Sequence, residues 1–192
     1  MSAGVVGVVV SAAGGAELVR PRLVEPLFQR GWSVAVTATP TAATWLDAEG
    51  ETSRIEQVTG WPVRSAPRLP QEVSPHPQVD CYAVVPATAN MVAKIALGIA
   101  DNQALTQVCE AVGGRQVPVV VFPRVNAAHA GQPAWDAHIT TLQRAGVRLV
   151  YGEDVWPLHQ PRSATGRELP WPAILRTIDD AMTAAGARRQ ER

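Results

Sequence analysis

The run Pro86-Ala87-Thr88-Ala89-Asn90 stands directly after an apolar, strand-like segment, CYAVV, and directly before a helical one, MVAKIALGIADN. Small residues and a hydroxyl at a strand-to-helix turn bring backbone N–H groups and the Thr88 side chain to a helix N-terminus. Such a place suits a phosphate or another polar ligand edge. Three more segments of small or hydroxylated residues end apolar runs in the same manner: Ser11–Gly15, which includes Ala12; Thr37 with Thr39; and Pro123–Asn126. In an open parallel sheet ligands bind beyond the carboxyl ends of the strands, so the four are expected to converge. Turn formation and helix capping account equally well for Ser11 and Thr39 taken alone. Asn126 can donate through its amide N–H to a carboxylate, or close an Asx-turn.

Two absences narrow the ligand. SAAGG lacks the GxGxxG spacing of dinucleotide binders, and TAT at 37–39 puts no acidic residue at the end of the second strand. A mononucleotide such as FMN therefore fits better than NAD. His76 lies between Pro75 and Pro77, where a neutral imidazole can act as acid or base near pH 7; an exposed loop histidine is the plainer alternative.

These segments need strands and helices to carry them. Val5–Val10 is a continuous β-branched run, followed by a small-residue turn and apolar residues at helical spacing over Leu18–Arg30, with Gly31 as the stop. Pro21 and Pro26 predict that this helix begins near Pro21 and bends at Pro26. Trp32–Thr37 reads as a second strand, and Pro40 opens a short helix. Between Glu51 and Gln78 a short helical stretch precedes a proline-rich flap, about 61–78, whose five prolines exclude a long regular element. Further strands are expected at Val79–Val85, Val117–Phe122 and VRLVYG, with helices at Met91–Ala100, Thr106–Val112, Ala134–Arg144 and Ala173–Ala184. A tail segment, about 152–172, precedes the last helix, and ARRQER is expected to fray. Strand and helix alternate throughout. That order predicts an α/β fold: a Rossmann-like, three-layer α/β/α domain with a mainly parallel, doubly wound sheet.

A chain of 192 residues with 46% apolar content can bury one sizeable core, and a single domain over 1–192 is expected. Basic and acidic residues number 17 each with no basic stripe, which argues against nucleic acid and anionic membranes and favours a small-molecule or peptide substrate. VVGVVV is too short to span a bilayer and lacks the flanks of a signal peptide. Cys81 and Cys109 match no metal-ligand spacing; they are expected to be reduced thiols of a cytoplasmic protein.

The PATAN run, the stretch PRVNAAHAGQP at 123–133, the flap's LPQE and the tail's GEDVWPLHQP resemble the homo-oligomeric flavin-containing cysteine decarboxylase superfamily. That superfamily includes phosphopantothenoylcysteine decarboxylases, peptidyl-cysteine decarboxylases of lantibiotic pathways and, more distantly, flavin prenyltransferases. The likeness is greatest to its stand-alone actinobacterial flavoproteins and covers nearly the whole chain. It implies FMN held by Ser11, Ala12, Thr39, Pro86, Ala87, Thr88, Ala89 and Asn90, and a substrate carboxylate held by Asn126. It also implies a homo-oligomer, a trimer or a multiple of trimers, and oxidative decarboxylation of a substrate bearing a thiol and a carboxylate.

The chain departs from the superfamily pattern at several places. Val125 replaces a methionine, and His129 and Ala130 replace the Met-Trp pair, so a remodelled substrate pocket is expected. Glu72 falls where the base histidine of the decarboxylases is usual; His76 is the nearest histidine. The tail carries no cysteine where the decarboxylase clamp has one, although Gly166 and Arg167 match its Gly-Arg pair, and His159 and Arg162 could meet an anionic substrate. A flavin-binding regulatory or redox protein without decarboxylase activity is the alternative. A flavin prenyltransferase, for which Arg124 alone is well placed to hold a phosphate, comes third.

Overall fold

The computed structural model describes residues 4–163 and 166–190. Valine-rich runs dominate its centre because β-branched side chains suit a strand buried on both faces. Strands β1 (Val5–Val10), β2 (Ser33–Ala38), β3 (Cys81–Ala87), β4 (Val119–Pro123) and β5 (Arg148–Leu149) form one sheet in the order 2-1-3-4-5, every pair parallel. Alternate residues serve opposite faces. Val6, Val8, Val10, Val85, Val120 and Phe122 join one apolar cluster, while Val9, Val84, Val119 and Val121 join the other. Gly7 keeps this packing close, since a β-carbon there would meet the Tyr82 ring at 2.8 Å.

On the first face lie α1 (Glu25–Gln29), α2 (Pro40–Ala48), α3 (Glu51–Thr59) and α8 (Trp171–Gln190); on the second lie α4 (Ala89–Leu97), α5 (Gln103–Gly114) and α7 (Trp135–Arg144). A single turn, α6 (Ala127–Ala130), completes the set. The architecture is the Rossmann-like α/β/α fold that the alternation of elements implies.

The expected helix at 18–30 is a composite: a 3₁₀ turn at Ala16–Leu18, a π turn at Arg20–Val24, then α1. The Glu25 N–H reaches back five residues to the Arg20 carbonyl, and Pro26, which follows, has no N–H to give. Arg20 also pairs with the buried Glu51 at 2.7 Å, tying this segment to α3. Burial alone would raise the Glu51 carboxyl, but hydrogen bonds from Arg20 and Arg54 outweigh it and hold it below its ordinary range.

Caps set the other boundaries. Thr88 and Asn102 accept the Met91 and Leu105 N–H groups, so α4 and α5 begin at Ala89 and Gln103, ahead of the expected starts. Gly98, in the left-handed region, ends α4 at Leu97 rather than Ala100. β5 is two residues instead of the expected six, although the Val150 N–H still donates to the Val121 carbonyl beyond it. α8 is longer than expected at both ends and runs to Gln190, so the helix continues through positions expected to fray; 191–192 lie outside the described residues. Both cysteines are free thiols: Cys81 is buried in β3, and its burial pushes it up to about 12, whereas Cys109 on α5 is half-buried. No helix among the described residues is long and apolar enough to cross a membrane.

Candidate functional site

The 2-1-3-4-5 order makes the chain leave β1 towards one edge of the sheet and β3 towards the other. A crevice opens between their carboxyl ends. Ser11, the residue after β1, latches the two sides. Its N–H and its hydroxyl both donate to the Pro86 carbonyl, at 3.2 and 2.8 Å, and its hydroxyl oxygen accepts the Thr88 N–H at 2.9 Å. Pro86 has no N–H for the ladder, and the register of β3 against β4 shifts between Val84 and Ala87. With Ser11 buried behind it, a cleft of about 490 Å³ is lined by Ala12, Ala13 and Gly14 on one side and by Thr88, Ala89 and Asn90, the start of α4, on the other. Thr88 caps that helix by accepting the Met91 N–H at 3.1 Å, so the N-terminal end of α4 looks onto the cleft. The volume lies within the usual range for small-molecule sites.

The remaining wall comes from Trp45, Arg124, Val125, Asn126 and His129. Arg124 is pinned by its N–H to the Ala87 carbonyl at 2.7 Å. Asn126 caps α6: its Oδ1 accepts the His129 N–H at 2.9 Å. With the carbonyl end of the amide occupied, the Nδ2 hydrogens are the free donors.

Behind this wall a hollow of about 170 Å³ shares Arg124, Val125 and Asn126 with the cleft and adds Trp156, His159, Arg162 and Arg167. The Arg167 guanidinium lies 3.7 Å from the Trp156 ring centre and that of Arg124 5.4 Å, while Phe122 meets the indole edge-on. Burial lowers the Arg124 pKa, the like charge of Arg167 lowers it further, and Glu17 opposes both. The Arg124 Nε is buried with no hydrogen-bond partner among the described residues. Two guanidinium groups on one indole, one of them incompletely bonded, make this wall strongly attractive to an anion.

Of the residues expected to form a site, Ala12, Thr88, Ala89, Asn90 and Asn126 line one cleft, with Ser11, Pro86 and Ala87 in the frame behind it. Thr39 lies apart: it caps α2 through the Ala42 N–H and donates its own N–H to Val10. His76 does not line the cleft. It is buried within the flap rather than exposed, its Nε2–H donates to the Pro62 carbonyl at 2.7 Å, and burial lowers its pKa, with Arg64 adding to the effect and the Pro62 bond opposing it. Glu72 is exposed and closes a local turn by accepting the Leu69 N–H. Part of the tail, 164–165, lies outside the described residues. Trp45 and Trp156 could not be picked out from the sequence, because a lone tryptophan in a helix or a loop carries no local signal of what it will face.

A family model described as Flavoprotein matches residues 3–183. A curated cysteine/cysteine sulfinic acid decarboxylase from an unknown prokaryotic organism is 34% identical over 71 residues, which make up 37% of this chain and 19% of that protein. Among solved structures, the FMN-dependent cysteine decarboxylase SpaF superposes with a TM-score of 0.70 at 22% identity, covering 96% of this chain and 98% of its own. HAL3 from Cryptococcus neoformans gives 0.64 at 21% identity over 96% and 98% of the two chains. The FMN-dependent cysteine decarboxylase TvaF of thioviridamide biosynthesis gives 0.64 at 20% identity over 95% and 98%. At these identities the superpositions speak for a shared fold.

Proposed function

The chain belongs to the flavoprotein family, and from that membership we propose that it binds FMN in the cleft at the β1/β3 switch point and oxidatively decarboxylates a cysteine-derived substrate. The observation that carries this reading is the cleft between the Ser11 latch and Asn126, which sets a capped helix N-terminus against a free amide donor. The lining fits a flavin mononucleotide. Alanines and a glycine leave room for a flat ring, a β-carbon at Gly14 would meet nothing nearer than Arg124 at 3.8 Å, and the start of α4 offers N–H groups to polar oxygens. FMN is also the cofactor named for SpaF and TvaF, and the curated relative is named for cysteine and cysteine sulfinic acid.

Ser11, Ala12, Thr39 and the run from Pro86 to Asn90 are assigned to cofactor binding, Ser11 and Thr39 acting by fixing the loops on which the others stand. Bound FMN supplies the two-electron acceptor that a thiol-bearing substrate needs before carbon dioxide can leave. Asn126 donates from Nδ2 to the substrate carboxylate and orients it, while buried Val125 excludes water from the same corner. His76 is assigned a positioning role: it fastens the flap through Pro62. We place the protein in the cytoplasm, in keeping with its free thiols, and as a trimer or a multiple of trimers.

A second reading rests on Arg124 and Arg167, which face one indole beside the cleft. Such a pair suits a phosphate, as an isoprenyl phosphate would bring to a flavin prenyltransferase.

The test begins with the visible spectrum of purified protein and chromatographic identification of released cofactor. Incubation with cysteine-terminated peptides, phosphopantothenoylcysteine and an isoprenyl phosphate follows. Loss of carbon dioxide from a thiol substrate supports the first reading, prenylation of the flavin supports the second, and a colourless protein that cannot be reconstituted removes both. Asn126→Ala is expected to keep its flavin and lose at least about tenfold in turnover; unchanged turnover would reject the assigned role.

A further inference from the structure

At the opposite end of the sheet, beside the amino ends of β4 and β5, a hollow of about 280 Å³ is lined by three arginines from three separate segments. Arg115 follows α5, Arg144 ends α7 and Arg148 opens β5. No carboxylate lines this hollow, and none of the three has an ion pair among the described residues. Arginine at a helix C-terminus is ordinarily explained by the helix dipole, but two C-termini offset only about one unit of positive charge. Roughly two units remain.

A second observation comes from the backbone. Arg115 stands at φ 54°, in the left-handed region that glycine occupies at no steric cost, although Gly113 and Gly114 immediately precede it. The strained position is held by a long cationic side chain that lines the hollow. That conformation is the C-cap of α5, with the Arg115 N–H donating to the Ala111 carbonyl, and it fixes the backbone from which the side chain reaches the hollow.

We propose that this hollow binds a small phosphate monoester: guanidinium forks hold the dianion, and Val112, Val117, Pro118 and Val147 cover a compact apolar body. The site is separate from the proposed flavin cleft, which lies at the carboxyl ends of the strands.

The test is calorimetric titration of the full chain, as purified, with phenyl phosphate and separately with inorganic phosphate at physiological ionic strength. Because Arg124 and Arg167 would also attract a phosphate, the titration is run in an Arg124→Gln, Arg167→Gln background, where one saturable site per chain is expected, with phenyl phosphate the tighter ligand. Arg115→Gly relieves the backbone strain, so its thermal midpoint is expected to hold or rise while affinity falls at least about tenfold. Adding Arg144→Gln with Arg148→Gln is expected to weaken binding further. Unchanged affinity on adding Arg115→Gly, or absence of saturation at millimolar ligand, would overturn the proposal.

Discussion

Ser11 does with one hydroxyl what neither neighbouring loop can do alone. Replacing it with alanine strands the part-buried Thr88 N–H and leaves the buried Pro86 carbonyl one donor short. Ser11→Ala is therefore expected to cost about 1–3 kcal/mol in a denaturant melt and to loosen the bound flavin. An unchanged midpoint would mean that the latch contributes nothing. His76 gives a prediction of a different kind. Its folded pKa lies below 6.5, so the unfolded chain takes up a proton first as the pH falls. The stabilisation it gives the flap is complete above pH 6.5 and declines as the pH drops through the folded value. An NMR titration placing His76 above 6.5 would contradict this. At this scale the sequence was informative where a local signal sets the geometry, as at the Thr88 cap, and silent about the Arg124–Trp156–Arg167 stack, which only tertiary folding assembles.

The turn between β1 and the composite helix depends on Gly15, which sits at φ 100° with Leu169 of the tail packed where a β-carbon would be, 2.4 Å from the Leu169 Cδ1. Both the dihedral and the contact forbid a side chain. Gly15→Ala is expected to destabilise the protein by more than the roughly 1 kcal/mol of the dihedral alone, and to expose Trp156 and Trp171 as the tail lifts. Tryptophan emission that stays unshifted would argue against that coupling. Strands β1, β3 and β4 were legible because runs of valine have few other uses, and α2 because Thr39-Pro40 is a start signal. The π turn, the brevity of β5 and the single turn of α6 were not. Each is also held by a partner distant in sequence: Arg20 by Glu51, β5 by the edge of β4, and α6 by the His159 carbonyl that accepts the Ala127 N–H.

Across the whole molecule, the residues left outside the two apolar clusters matter most. Trp45, which lines the rim of the proposed flavin cleft, is 46% exposed; Leu97, the last residue of α4, is 63% exposed and Ile99, just beyond that helix, 42%. A large apolar side chain at the mouth of a ligand cleft, as Trp45 is, fits the proposed subunit contact, in which a second copy would close the site. Native mass spectrometry is expected to find a trimer or a multiple of it, and Trp45→Glu to break that assembly and release flavin together. A monomer that retains its flavin would separate the two. The β3 thiol has a practical consequence for such work. Because Cys81 is walled in and scarcely ionises at neutral pH, a maleimide dye is directed to Cys109 on α5. That thiol is half-buried and its burial pushes it up as well, so labelling calls for a mildly alkaline buffer. The unaltered protein can thus carry a single fluorophore, and energy transfer from it to the flavin would time the filling of the cleft without engineering a cysteine.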